Sequence, residues 1–154
     1  MDDGLTFDTA SIKIEDIREE EEYQGLHVRM TAYLDRARIP VQIDIGYGDA
    51  VTPRPEAVEY PGFLDFPPPR VLIYHPATVV AEKFNAMVVL GIVNSRLKDF
   101  YDLHAILRRM NISDRQLITS IKSTFARRNV KIPSEMPSVF EPEFLCETHK
   151  ETEW

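Results

Sequence analysis

Between Ser11 and Tyr47 apolar and polar side chains alternate with a period of two. Ile12 and Ile14 alternate with Lys13 and Glu15. Leu26, Val28, Met30, Ala32 and Leu34 alternate with His27, Arg29, Thr31 and Tyr33, and Val41, Ile43 and Ile45 alternate with Gln42, Asp44 and Gly46. Such alternation specifies three half-buried strands. They are joined by the charged stretch Glu19 to Gly25, with four consecutive glutamates, and by the short turn Asp35 to Arg38, so an antiparallel meander is the economical topology. Its apolar face needs a partner layer. Residues 53–69 hold six of the eleven prolines. Proline lacks the amide donor of a ladder, which predicts an extended crossing loop there, neither strand nor helix. Arg70 to Tyr74 reads as one more strand.

After His75-Pro76 the period becomes helical. Val79, Val80, Lys83, Phe84, Met87 and Val88 predict a helix from about Ala77 to Leu90, with Pro76 in the first turn and Gly91 as its stop. Asn94 or Ser95 can cap a second helix running to about Met110, with Phe100, Leu103, Leu107 and Met110 on one face. Ser113 or Asp114 starts a third, through about Arg128, with Leu117, Ile118, Ile121 and Phe125 inward. Beyond Pro133 the chain is rich in Pro and Glu and only partly helical. Strands followed by helices specify an α+β fold: a short mixed or antiparallel sheet of three to four strands, then a helical C-terminal region. The regions expected are 1–75 as sheet portion, 76–131 as helical region and 132–154 as a partly ordered tail. The first strand starts almost at Met1 and the chain ends on Glu153-Trp154, so the expectation is a portion of a larger fold.

Composition narrows the class. The 154 residues are 44% hydrophobic and 28% charged, ordinary values for a globular domain. The longest apolar stretch, around Met87 to Val93, falls short of a membrane span, and the acidic start is unlike a secretory signal. Cys146 is the single cysteine and no Cys/His cluster has zinc spacing, so the expectation is a cytoplasmic, disulfide-free protein with no membrane partner. The net charge of −7 conceals an asymmetry. Residues 1–95 carry 8 basic and 16 acidic side chains, residues 96–131 carry 9 and 3, and residues 132–154 carry 1 and 6. A basic segment inside an acidic chain is either a solvated helical surface or a local contact for a polyanion.

Two constellations can carry chemistry. Asp44 lies on the polar face of its strand with Gln42, Gly46 and, if the strand continues, Gly48. Glycines beside a carboxylate leave room for a ligand such as a metal-bound phosphate, or else mark a bulge before a loop. Asp49 reads as a turn residue. The second constellation is Glu82, Lys83, Arg96, Lys98, Asp99 and Asp102. Arg96 with Asp99 and Lys98 with Asp102 have the spacing of ordinary helix-surface ion pairs. Alternatively, Lys83 gives a compact positive charge to a triphosphate while an aspartate of the next helix orients it or acts as a base. His75 and His104 read as structural or surface residues.

The stretches Pro40-Val41-Gln42-Ile43-Asp44-Ile45-Gly46-Tyr47-Gly48-Asp49-Ala50-Val51-Thr52-Pro53, Val80-Ala81-Glu82-Lys83-Phe84-Asn85-Ala86-Met87 and Asn94-Ser95-Arg96-Leu97-Lys98-Asp99-Phe100-Tyr101-Asp102-Leu103 together resemble the AbiEii/AbiGii toxin family. These are nucleotidyltransferase-like toxins of type IV toxin–antitoxin systems, active in abortive infection as phage defence, with a polymerase-beta-like fold. The resemblance implies transfer of a nucleoside monophosphate from a nucleoside triphosphate (NTP) to an acceptor, RNA being one candidate, with Mg2+ as cofactor and an antitoxin as partner. By the same resemblance Asp44 is the strand carboxylate of the metal site, Lys83 the lysine of a Lys-x-x-Ala motif, Asp99 or Asp102 the following catalytic aspartate, and Arg96 a nucleotide contact. Leu90 stands where the family motif often has an arginine.

The family's upstream motif, a Gly-Ser followed by an Asp-x-Asp strand, has no counterpart: the sequence contains no Gly-Ser or Gly-Thr dipeptide and no Asp-x-Asp at a strand end. One carboxylate holds magnesium too loosely for two-metal chemistry, so the expectation is a partial nucleotidyltransferase fold with little or no activity alone. The alternative is an inert remnant that only binds an antitoxin or another protein, and a third reading is an α+β domain whose charges are plain surface pairs.

Overall fold

The computed structural model describes residues 3–17, 24–62, 65–94 and 96–145. Most of the glutamate-rich connection, the candidate cap Ser95 and the lone Cys146 therefore lie outside the described residues. The described chain forms two compact units, one built on the residues up to Asp49 and 64–66, the other on the rest.

The first unit is the meander. Strands β1 (Leu5–Asp16), β2 (Gln24–Leu34) and β3 (Ala37–Tyr47) pair antiparallel in the order β1-β2-β3. Asp35 takes a φ of +52° in the β2–β3 turn, the left-handed conformation that a two-residue hairpin connection needs and that a short Asx side chain tolerates. Closing the turn on Leu34 and Ala37 fixes the register: Val28 faces Ile43 and Leu26 faces Ile45, while His27 faces Asp44 and Arg29 faces Gln42. One face is thus apolar and the other polar. Phe7, Ile14, Leu34, Ile43 and Ile45 on the apolar side stay exposed, and Ala32 is buried.

β1 begins at Leu5, six residues ahead of the alternation that predicts it. The reason is a bulge between Asp8 and Lys13, where four residues of β1 stand against Met30 alone. Leu5 and Phe7 before it and Ile14 after it then face the same side, a change of parity that breaks the period in sequence. Ser11 repairs the ladder, because its hydroxyl donates to the Asp8 carbonyl at 2.7 Å and accepts the Thr31 amide at 2.8 Å.

In the second unit, β4 (Glu56–Glu59) and β5 (Arg70–Ile73) form a separate two-stranded antiparallel sheet. The strand expected at Arg70 to Tyr74 is β5, and its partner β4 corrects the expectation of a strandless loop over 53–69. Glu56 to Glu59 is a proline-free window between Pro55 and Pro61, and Tyr60 donates its amide to the Pro69 carbonyl at 2.9 Å, so the prolines act only as acceptors or as flanks. The helices are α1 (Pro76–Leu90), α2 (Leu97–Arg109), α3 (Asp114–Arg127) and the short α4 (Pro142–Leu145). His75 Nδ1 caps α1 by accepting the Ala77 amide at 3.1 Å, and Gly91, at φ +53°, ends it. Arg96, rather than Asn94, is the N-cap residue of α2. Asn94 instead turns the chain into it by accepting the Arg96 amide at 2.8 Å.

Val80 and Met87 of α1 and Leu103 of α2 bury together with Val139 and Phe144 from the C-terminal segment. Phe84 meets the buried Phe125 of α3 with ring centroids 5.5 Å apart, and Phe100 meets Phe144 at 5.7 Å. The Thr52 carbonyl accepts both the Thr78 and Ser120 hydroxyls, at 2.7 and 2.5 Å, tying α1 to α3. Leu107, Met110 and Ile118, predicted to face inward, are half exposed. α2 is covered mainly around Phe100 and Leu103, which leaves its C-terminal turn open. Pro76–Val93 is long and apolar enough to cross a membrane by length and composition, which corrects the shorter apolar stretch read from sequence. A third of that window is buried inside the protein, and it carries Glu82 and Lys83.

Candidate functional site

Each unit presents one polar constellation. In the meander, Asp44 projects from the polar face of β3 because Ile43 and Ile45 claim the other face. Its Oδ1 lies 2.5 Å from His27 Nδ1, its cross-strand neighbour on β2, and Gln42 Nε2 donates to its Oδ2 at 3.4 Å. Just over half of the Asp44 side chain is exposed. Gly46 follows on the same face. A side chain there would come within 3.8 Å of Asp49 Oδ2, so the second carboxylate of this region stands over the glycine.

His27 is the residue that sequence reasoning missed, although its signal was present. In an antiparallel hairpin closed on Leu34 and Ala37, residues summing to the same total face one another, which puts 27 opposite 44. Asp49 was read as a turn residue, and the position of its carboxylate beside Gly46 depends on the bend at Gly48, where φ is +92°.

In the helical unit, Lys83 extends from α1 between two aspartates of α2. Its Nζ donates to Asp99 Oδ1 in a short hydrogen bond and to Asp102 Oδ2 at 3.0 Å. Lys98 Nζ reaches the same Asp102 oxygen at 2.9 Å, the i,i+4 pair that the spacing predicts. The four side chains thus form a balanced cluster of two cations and two anions. Asp99 is 16% and Asp102 22% exposed, whereas Lys98 is 83% exposed. Burial alone pulls the Lys83 ammonium downward, but the hydrogen bonds and charges of Asp99 and Asp102 outweigh it, so the group lies above its usual value. Hydrogen bonds from Lys98 and then Lys83 hold the Asp102 carboxyl below the usual carboxylate range against its burial.

Arg96 sits at the entrance of α2, exposed, with its carbonyl accepting the Asp99 amide at 2.9 Å. Lys83, Asp99 and Asp102 therefore assemble as a group, with Arg96 a turn away along the chain. Asp44 stands in its own constellation in the other unit.

Magnesium takes six oxygen ligands at short range, and two-metal transfer uses several carboxylates. Among the described residues no three of His, Cys, Asp and Glu come together in a metal-binding group, and Asp44 is already engaged by His27. These residues do not by themselves fit the ion, so no chemical step is assigned to it.

A family model described as nucleotidyl transferase AbiEii toxin, type IV TA system, matches residues 2–154. No curated protein and no solved structure matches the chain.

Proposed function

The chain belongs to the AbiEii nucleotidyl transferase toxin family of type IV toxin–antitoxin systems, and on that premise we propose that Lys83 is its contact for the phosphates of a nucleoside triphosphate. Membership implies an NTP substrate and an antitoxin partner. The observation that supports the proposal is that Lys83 of α1 meets Asp99 and Asp102 of α2, so that the lysine and the aspartates of the family motifs stand in one group.

In the reaction an acceptor hydroxyl attacks the α-phosphorus, the bond from that phosphorus to the bridging oxygen breaks, and pyrophosphate leaves. Lys83 offsets the charge that grows on the leaving phosphates, while Asp99 or Asp102 orients the ammonium or receives the hydroxyl proton. Arg96 lies beside this group for a further phosphate contact. In this reading residues 76–131 bring the nucleotide and acceptor side, and Asp44 is the family's metal-site carboxylate. The exposed Arg108, Arg109, Arg115, Lys122, Arg127 and Lys131 offer an RNA acceptor a basic surface. We propose further that the chain alone transfers little or nothing, because the family's Gly-Ser and Asp-x-Asp motif has no counterpart in the sequence.

The exposed apolar sheet face favours a second reading, a protein-binding module without catalysis. Incubating the purified chain with each α-labelled NTP, RNA and Mg2+ separates the two. Binding of one NTP that Lys83→Ala abolishes, with transfer near background, supports the nucleotide reading. Absence of binding to all four NTPs supports the module. Strong transfer abolished by Asp44→Ala would show that the carboxylate set is complete.

A further inference from the structure

In the four-residue group around Lys83 each ammonium is matched by a carboxylate. Lys83 and Lys98 balance Asp99 and Asp102, and both carboxylates lie within hydrogen-bonding distance of the Lys83 ammonium. A triphosphate approaching Lys83 meets these two anions first, so Lys83 has to change partners in order to bind it.

The cluster is built for such an exchange. Asp102 Oδ2 accepts from two lysines, at 3.0 Å from Lys83 and 2.9 Å from Lys98, so it keeps a cation when Lys83 leaves. Asp99 sits in the first turn of α2, where the helix dipole and unpaired amides stabilise a carboxylate. The same bonds join the helices. Leu103 is the one buried residue of α2, and Phe100 packs on Phe140 and Phe144 of the C-terminal segment, while the lysine bridge ties the first turns of α2 directly to α1.

We propose that Lys83, Asp99, Asp102 and Lys98 form a charge-exchange latch: the triphosphate draws Lys83 away from the two aspartates, Lys98 takes over Asp102, and the first turns of α2 come free of α1. This rests on the reading of Lys83 as the phosphate contact and adds its regulation. Nucleotide binding at α1 is thereby passed to α2, the helix that carries the acceptor-side Arg108 and Arg109. Lys98 acts through Asp102 and is a positioning residue.

The test uses the full chain with inorganic tripolyphosphate and each Mg-NTP as probes, binding measured by calorimetry and amide hydrogen exchange followed over residues 97–109. Asp99→Asn removes a competitor for Lys83, so it tightens binding roughly five- to tenfold. Lys98→Ala leaves Asp102 to Lys83 alone and weakens binding a few-fold. In the wild type the ligand speeds exchange in α2; in Asp99→Asn exchange is already fast without it. Circular dichroism checks folding, and Asp102→Asn stands in should Asp99→Asn fail to fold.

If Lys83→Ala binds the probes as the wild type does, the phosphate-contact reading falls. If Lys83→Ala loses binding while the aspartate variants bind no tighter, or while α2 exchange ignores the ligand, the latch is overturned and the reading stands. If no form binds any probe, both fall.

Discussion

Lys83 stands under opposed demands, burial disfavouring its charge and two carboxylates holding it, and the carboxylates win. The pH dependence follows from the two directions of shift. Asp102 is depressed when folded, so its share of stability is present above its ordinary value of 3.8 and is lost as the pH falls through the folded value. Lys83 is raised, so its share is present below its ordinary 10.5 and is lost as the pH climbs through the folded value. The coupling between Lys83→Met and Asp102→Asn in a double-mutant cycle should therefore be level from about pH 5 to about pH 10 and shrink on either side, as urea titrations at several pH values would show. Phe125 presents a simpler case. It is almost wholly buried against Phe84, and Phe125→Ala should cost about 3–5 kcal/mol in the same titrations. Both residues were legible as helix-face positions. An aspartate of the next helix was one of two readings of the sequence for Lys83, and the packing of the two helices brings both Asp99 and Asp102 to it.

Elements show where local pattern suffices. α3 starts as its sequence indicates: Ser113 Oγ accepts the Gln116 amide at 3.3 Å and Gln116 Oε1 accepts the Ser113 amide at 3.1 Å, a complete capping box. Ser113→Ala should lower stability by about 1 kcal/mol, measured by thermal unfolding. β1 behaves differently, because the bulge that lets Phe7 and Ile14 share a face is invisible to a period-two search. Ser11→Ala deprives the nearly buried Thr31 amide of its acceptor and should cost about 1–3 kcal/mol, whereas the exposed Thr9→Ala should cost almost nothing. β4 was hidden by its neighbours, since the prolines around it argue against a strand until their positions outside the ladder are known.

For the molecule as a whole, the open question of surface is the meander's apolar side. Phe7, Ile14, Leu34, Ile43 and Ile45 are exposed on one face, an apolar patch of the kind that favours association. Replacing Ile14 and Ile43 together by threonine should reduce light scattering at high concentration while leaving the unfolding midpoint nearly unchanged, because exposed positions contribute little to the core. The sequence by itself determined the α+β order of elements, the hairpin register that sets Asp44 on a polar face, the helix starts at Pro76 and Ser113, and the motifs that carry the family. These follow from local rules, namely alternation, capping and turn closure, which act over a few residues. Tertiary structure decided that Lys83 bridges to both Asp99 and Asp102 and that Val139 and Phe144 complete the helical core. Those partners are far apart along the chain, and which of several nearby charges or apolar side chains meet is settled by how the helices pack, a property no single segment encodes.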